Sequence, residues 1–324
     1  MKAVYCTVTS HLRLLQALVL QESIARHSPS AVFAFFCIDR EAAMLVRKLA
    51  LPNVLVVEVE SFVPADVVAR RSTLKVVEFC AVCKPLALTY ALANVVDAEW
   101  AVWADSDMFA FGNPDAAFNG HEHANVLLTP HRFFLPEFER FEPSVGRYNA
   151  GYVAFRRTEH GLAALNWWKD RCLEGCPIVP TADLFGDQKY LNSVPGFFEG
   201  VEEAGVGVNC APWNVFGLEV NGSGAGVMVS DEPLLLYHFQ GLRLLHPWLT
   251  DRYGSRLQLP AAVRAFIYEP YMAAISRCAR RMRKVGERTT FGIDDHYRGL
   301  KAIPRIAEQF IRSRNIAFRP FAWR

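Results

Sequence analysis

Short apolar runs alternate with helix-period segments through the first third of the chain, and this alternation restricts the fold more than any other feature. Residues 3–8 read as a buried strand, 12–27 as a helix that stops before Pro29, and 32–38 and 54–59 as two further strands. Residues 76–95 have a helical pattern, and 100–104 form a fourth strand. Strand, helix, strand in repetition implies an α/β fold with a mostly parallel sheet and helices on both faces. Right-handed crossovers gather the C-terminal ends of the strands on one edge, where ligands bind. From about 111 to 247 the chain is irregular and rich in Pro, Gly and Asn, with short strands expected at 125–128, 151–155 and 234–237. Such stretches commonly carry a substrate site. From 261 onward the pattern is helical and basic, broken at 286–292 and at Pro304. The expected division is therefore a sheet domain over 1–260 and a basic helical C-terminal region over 261–324.

Charge sharpens that division. Residues 277–324 hold 13 Lys/Arg against 4 Asp/Glu, a balance of +9, and the rest holds 22 against 29, or −7. The formal net charge of +2 gives no global field that would draw the molecule onto nucleic acid. The basic tail suits an anionic membrane surface or a phosphorylated acceptor, and equally a solvated helical face. The chain is 52% hydrophobic, enough for a large core. Its eight cysteines lie largely in apolar stretches, as buried reduced thiols do. Polar residues from Thr7 to Arg13 interrupt any signal-like run, and no stretch of about 18 apolar residues occurs. The expected location is cytoplasmic, with peripheral contact at the inner face of the membrane.

Four local patterns carry chemistry. The run 100–104 leads directly into Asp105-Ser106-Asp107. In an extended segment residues i and i+2 share a side, so two carboxylates would aim at one point beyond a strand end. Hard oxygen ligands of this kind suit Mg²⁺ or Mn²⁺ bridged to phosphate; a plain exposed turn is the other reading. A second apolar run delivers His238, followed by Phe239-Gln240-Gly241. His238 is a candidate third metal ligand or a satisfied core histidine, and Gly241 permits close backbone approach to a phosphate. Asn149-Ala150-Gly151 offers an amide beside two small residues, or an ordinary turn before a strand. Asp187-Gln188 stands near a helix start, where it reads hydroxyls or caps the helix.

In this order the four patterns resemble glycosyltransferase family 8 and related nucleotide-diphospho-sugar transferases. Asp-x-Asp after a strand, Asn-Ala-Gly, Asp-Gln-x-x-Leu-Asn and His-Phe-x-Gly carry the resemblance, over roughly residues 1–250. The opening Thr7-Val8-Thr9 and Lys84-Pro85 also fit. The resemblance implies a GT-A fold and transfer of a sugar, with retention, from a nucleotide-sugar donor (a UDP-sugar) to a glycan or glycolipid. It implies that Asp105, Asp107 and His238 hold Mn²⁺ or Mg²⁺, with Ser106 in the same donor-binding turn. Thr7 and Thr9 would lie near the base or ribose, and Lys84 near the donor sugar or its phosphates. Asn149, Ala150 and Gly151 would line the sugar, Asp187 would bind a hydroxyl, Gln188 would sit near the anomeric carbon, and Gly241 would contact the diphosphate. The family's pattern continues His-Phe-x-Gly-x-x-Lys-Pro-Trp. Here the segment is two residues longer and His246 stands where lysine is expected, so Arg243 or His246 would supply the cation, Arg243 preferred for its permanent charge.

Other features are better read as structural: His121-Glu122-His123 as a loop, Cys80 and Cys83 as buried thiols, and Asp294-Asp295-His296 as a helix start. Two rival functions remain open. A sugar nucleotidyltransferase would carry a glycine-rich basic loop after the first strand, whereas 7–13 contains no glycine. A non-catalytic nucleotide-sugar-binding protein would keep the pocket without needing the metal ligands.

Overall fold

The computed structural model describes residues 2–224, 226–288, 291–293, 297–299 and 302–318. Eight strands lead the chain: β1 Ala3–Thr9, β2 Val32–Cys37, β3 Val54–Glu58, β4 Trp100–Ala104, β5 Met108–Ala110, β6 Val126–Pro130, β7 Tyr148–Arg156 and β8 Val201–Glu203. All but β5 form one seven-stranded sheet in the order β3-β2-β1-β4-β7-β6-β8. Only β7 runs against the others. The strand order reverses between β1 and β4, which makes that point of the C-terminal edge a ligand crevice.

Strands buried on both faces read as continuous apolar runs. Every residue of β1 and of β4 is buried. Their side chains alternate into two cores. Tyr5, Phe35, Trp100 and Val102 face helix α1 (Leu14–His27). Val4, Cys6, Phe36 and Trp103 face α3 (Val76–Asn94) and α4 (Glu159–Glu174). Each such side chain removed from water contributes about 1.5–3 kcal/mol. α2 (Arg40–Leu49) is started by Asp39, whose carboxylate accepts from Ala42 N–H at 2.8 Å and from His11 N–H at 2.9 Å. That second bond ties the loop after β1 to the end of β2. By length and composition α3 is apolar enough to cross a membrane, yet it packs on β1, β4 and α4.

The later chain adds smaller sheets. β9 (Val220–Ser223), β10 (Gly226–Val229) and β11 (Glu232–Pro233) form an antiparallel meander. β12 (Leu236–His238) pairs with β5, two residues later than the sequence pattern suggests. β13 (Arg243–His246), β14 (Leu249–Asp251) and β15 (Ile316–Phe318) make a third small sheet. Residues 261–268 continue helically into α5 (Glu269–Lys284), which packs on α1. Its Tyr271, Ile275 and Met282 belong to the same core as Trp100. Pro304 does not break a helix: it lies in the first turn of α6 (Ile303–Arg312), where its missing N–H costs nothing. Asp294-Asp295-His296 lies outside the described residues. All eight cysteines are free thiols, and burial pushes Cys37 and Cys210 up to about 12 and Cys80 to about 11.

Candidate active site

Three ligand groups meet beyond the end of β4. One atom each from Asp105, Asp107 and His238 lie within 4.8 Å of one another. The carboxylates do not converge by strand alternation, as the i, i+2 argument expects. The chain turns at once after Ala104, with Met108 N–H donating to Asp105 C=O at 2.9 Å, and the turn folds both side chains to one side. β5 then pairs antiparallel with β12, placing Met108 opposite His238, and Phe239 N–H donates to Asp107 C=O at 2.9 Å. This short pairing delivers a histidine from 131 residues further along the chain to the acid pair. His238 Nε2 lies 3.2 Å from Asp107 Oδ1 and 3.8 Å from Asp105 Oδ2.

Hydrogen bonds orient two of the ligands, Asp105 and His238. Trp103 Nε1–H donates to Asp105 Oδ1 at 2.7 Å, leaving Oδ2 toward His238. Asn209 donates from Nδ2 to Thr129 Oγ1 at 2.8 Å and to Asn149 Oδ1 at 3.0 Å. Its Oδ1 is therefore an acceptor, and it takes the Nδ1–H of His238 at 3.1 Å. That bond assigns the proton to Nδ1 and turns the Nε2 lone pair onto the carboxylates. A lone pair and two carboxylates at these distances call for a positive species between them. The shifts express the same demand. Burial disfavours charge on His238, but Asp107 and Asp105 outweigh it and raise its pKa. Burial likewise opposes ionisation of Asp107, but His238, with Arg13 behind it, holds the carboxyl below its usual range. Two carboxylates and one oriented imidazole nitrogen fit a hard divalent cation.

The other expected site residues divide into those near this cluster and those turned elsewhere. Lys84 Nζ contacts Asp105 Oδ1 at 3.1 Å, Asp187 Oδ2 at 3.3 Å and Ala150 C=O at 3.0 Å. These contacts occupy its three N–H groups, so Lys84 joins the two acidic segments before any ligand arrives. Burial would lower its pKa, but Asp105 and Asp187 hold it above the usual lysine range. Burial raises Asp187, against the pull of Lys84. Gln188 Oε1 accepts from Asn149 Nδ2 at 3.3 Å, and Gln188 Nε2 donates to Val145 C=O at 2.8 Å. The close approach that Gly151 permits is made by protein: a Cβ there would lie 2.5 Å from His238 Nδ1 and 2.6 Å from Asn149 Oδ1.

Thr7 and Thr9 are both buried in β1, and Thr9 Oγ1 donates to Ser10 C=O at 3.2 Å. Ser106 is half-buried in the acidic turn. Gly241 has φ +84°, a left-handed conformation suited to glycine, at the turn after Phe239. Arg243 and His246 on β13 have other engagements. Arg243 Nη1 donates to Gln309 Oε1 of α6 at 3.0 Å, and the His246 ring packs edge-on to Trp248 at 4.7 Å. Burial lowers the pKa of His246, which weakens it as a cation.

Four contributors went unread in the sequence. Trp103, Thr129 and Asn209 orient the ligands, and exposed Arg13, the residue before α1, acts on Asp107 through its charge. The position of Arg13 directly after β1, on the ligand edge of a parallel sheet, was the available signal. Asn209 has φ +58°, which no nearby pattern announces. Along the ends of β2 and β3, a cavity of about 700 Å³ is lined by Cys37, Asp39, Arg40, Glu58 and Arg71, a volume in the range small ligands occupy. Another, of about 800 Å³, opens at the opposite edge by Lys2, Asn53 and Asp97; neither cavity is lined by Asp105, Asp107 or His238, and the first shares the C-terminal edge of the sheet with them, beside β1.

No family model matches the sequence. Two proteins of Bacillus subtilis (strain 168) resemble it along most of their length. The uncharacterized protein YfnF is 30% identical over 292 residues, which cover 87% of this chain and 95% of YfnF. The uncharacterized protein YfnD is 26% identical over 281 residues, covering 84% and 88%. Among solved structures, the bifunctional glycosyltransferase WbbM in its apo form superposes with a TM-score of 0.51 at 13% identity, over 87% of this chain and 51% of WbbM. That likeness is one of fold: a GT-A-type α/β arrangement with a mostly parallel sheet flanked by helices.

Proposed function

The chain belongs to the family of the Bacillus subtilis protein YfnF, and we propose that it is a metal-dependent glycosyltransferase that moves a sugar from a nucleotide-sugar donor, a UDP-sugar, to a glycan or glycolipid acceptor. The observation that carries this reading is the meeting of Asp105, Asp107 and His238 at the strand-order reversal of a GT-A-type sheet.

In this reading Asp105, Asp107 and His238 hold Mn²⁺ or Mg²⁺, which when bound offsets charge on the departing diphosphate. Trp103 and Asn209 keep the ligands aligned. Arg13 supplies the permanent cation that the resemblance would place at His246 or Arg243, since it is exposed and its charge acts on Asp107; its Nη1 donates to Gln16 Oε1 at 3.3 Å in its own segment, whereas Arg243 is held by Gln309 of α6. Lys84 fixes Asp187 against Asp105. Asp187 Oδ2 has no hydrogen-bond partner besides its ion pair with Lys84 among the described residues, which leaves it able to accept from a sugar hydroxyl. Gln188, held by Asn149 and Val145, presents its amide near the reacting carbon, and the transfer retains configuration as the resemblance implies. The cavity at β2 and β3 receives the base and ribose.

The test is release of nucleoside diphosphate from a panel of nucleotide sugars with Mn²⁺, with Asp107→Ala as the control. Metal-dependent hydrolysis of one donor, lost in the variant, supports the transferase and names the donor. Donor binding without turnover, even with acceptors supplied, supports a binding protein instead, and absence of any donor binding removes the nucleotide-sugar reading.

A further inference from the structure

Helix α6 is oriented against the usual rule for a helix docked on a protein. A helix that packs on a core turns its apolar stripe inward. In α6 the buried residue is Gln309, whose Oε1 accepts from Arg243, while Ile303, Phe310 and Ile311 are 61%, 46% and 73% exposed. The outward apolar face continues onto the adjoining small sheet. Phe318 of β15 is 66% exposed and lies 5.8 Å from Phe310, ring centre to ring centre. On its other side it stacks on Trp248, itself 44% exposed, at 5.9 Å and 18°. Trp248, Phe318, Phe310 and Ile311 thus form one outward apolar surface, of the kind that marks an interaction site.

The charge around it selects the partner. From Ile303 to Phe318 the chain holds three arginines and one acid, Glu308. Arg312 and Arg314 are exposed, Arg312 in an ion pair with Glu308. The sequence after Phe318 repeats the chemistry, with Arg319, Phe321, Trp323 and Arg324. A second copy of the chain would bring arginine against arginine across a two-fold contact, which like-charge repulsion opposes. Aromatic rings interleaved with arginines match a lipid interface, where the rings enter the boundary between headgroups and acyl chains and the guanidiniums meet phosphates. We propose that this face docks on an anionic lipid bilayer. The inference rests on Trp248, α6, β15 and the arginines of this part of the chain, and stands apart from the reading of the metal cluster.

The experiment is cosedimentation of the full chain with vesicles of phosphatidylcholine, with and without about 30% phosphatidylglycerol, at about 0.1 M and higher salt. Anionic vesicles are expected to capture the protein with a gain of roughly fivefold for each arginine brought to the surface, falling as salt rises. Ile311→Ser with Phe318→Ser should weaken capture at least about tenfold, because two exposed anchors are lost. Arg312→Gln with Arg314→Gln should lower the preference for anionic over neutral vesicles by roughly 25-fold, fivefold for each arginine, while the melting temperature and donor binding stay unchanged. Because these side chains are exposed, the second pair decides the matter if the first perturbs folding. Equal or absent capture on the two vesicle types would overturn the proposal. So would capture that neither pair of substitutions alters, or a change confined to oligomeric state in sedimentation velocity.

Discussion

Gly151→Ala isolates the geometric claim on which the metal site depends. The added methyl would sit 2.5 Å from His238 Nδ1, 2.6 Å from His238 Cε1 and 2.6 Å from Asn149 Oδ1, where ordinary contact begins at 3.4 Å. Relief requires the imidazole to withdraw by about 0.9 Å, the gap between 2.5 and 3.4 Å. The ring cannot rotate away without giving up the Asn209 bond at 3.1 Å that directs Nε2 toward Asp107. Overpacking of this kind costs about 1–3 kcal/mol in stability. Loss of ligand alignment lowers metal affinity by about 10–100-fold. Mn²⁺ titration by calorimetry or paramagnetic resonance reads the affinity, and thermal unfolding without metal reads the stability. Gly196→Ala is the control, because a Cβ there meets nothing within 4 Å. A Gly151→Ala protein that binds Mn²⁺ as tightly as the parent would refute the argument that backbone room at 151 sets the His238 ligand.

Other outcomes follow from the same contacts. Asn209→Ala should leave the three ligands in place but weaken Mn²⁺ binding about 10–100-fold, and an unchanged affinity would remove Asn209 from the orienting role. Arg13→Ala should raise the donor KM by about tenfold or more, consistent with a lost charged hydrogen bond, whereas Arg243→Ala should act mainly on the melting temperature through Gln309; the reverse pattern would return the cation to β13. His131 is buried between Phe133 and Trp213, and burial lowers its pKa to about 4 against 6.5 for an ordinary histidine. The unfolded chain therefore takes up a proton first as pH falls, so this contribution to stability is complete above 6.5 and is lost down to about 4. The gap corresponds to roughly 3 kcal/mol. Denaturant unfolding of His131→Gln across that range should show a shallower acid slope than the parent, and parallel slopes would assign the loss to other groups.

The parallel half of the sheet is legible from the order of residues alone. The runs at β1, β2, β3 and β4 are apolar on both faces, and such strands have few alternatives to burial between helix layers. The sequence also announced the candidate metal ligands, because Asp105 and Asp107 follow β4 directly and His238 ends another apolar run. It carried less about how they meet. Strand alternation was the expected device, whereas a tight turn at 105–107 and the pairing of β5 with β12 bring the groups together.

The surroundings of the ligands depend mainly on contacts between distant segments. Asn209 bonds to Thr129, 80 residues away, and to Asn149, 60 away, and no local period encodes such bonds; the Trp103–Asp105 bond, by contrast, spans two residues. Lys84 and Asp187 meet across a helix and a loop, so the lysine's engagement with protein carboxylates was invisible from either segment alone. The same holds for the cation. Arg243 is near His238 in sequence, yet β13 turns it onto Gln309, while the charge of Arg13, in the segment after β1, acts on Asp107, after β4, because those strands are neighbours in the sheet. Side-chain pattern tells which faces must leave water; which side chains then share a point depends on strand order and pairing, which are contacts between distant parts of the chain.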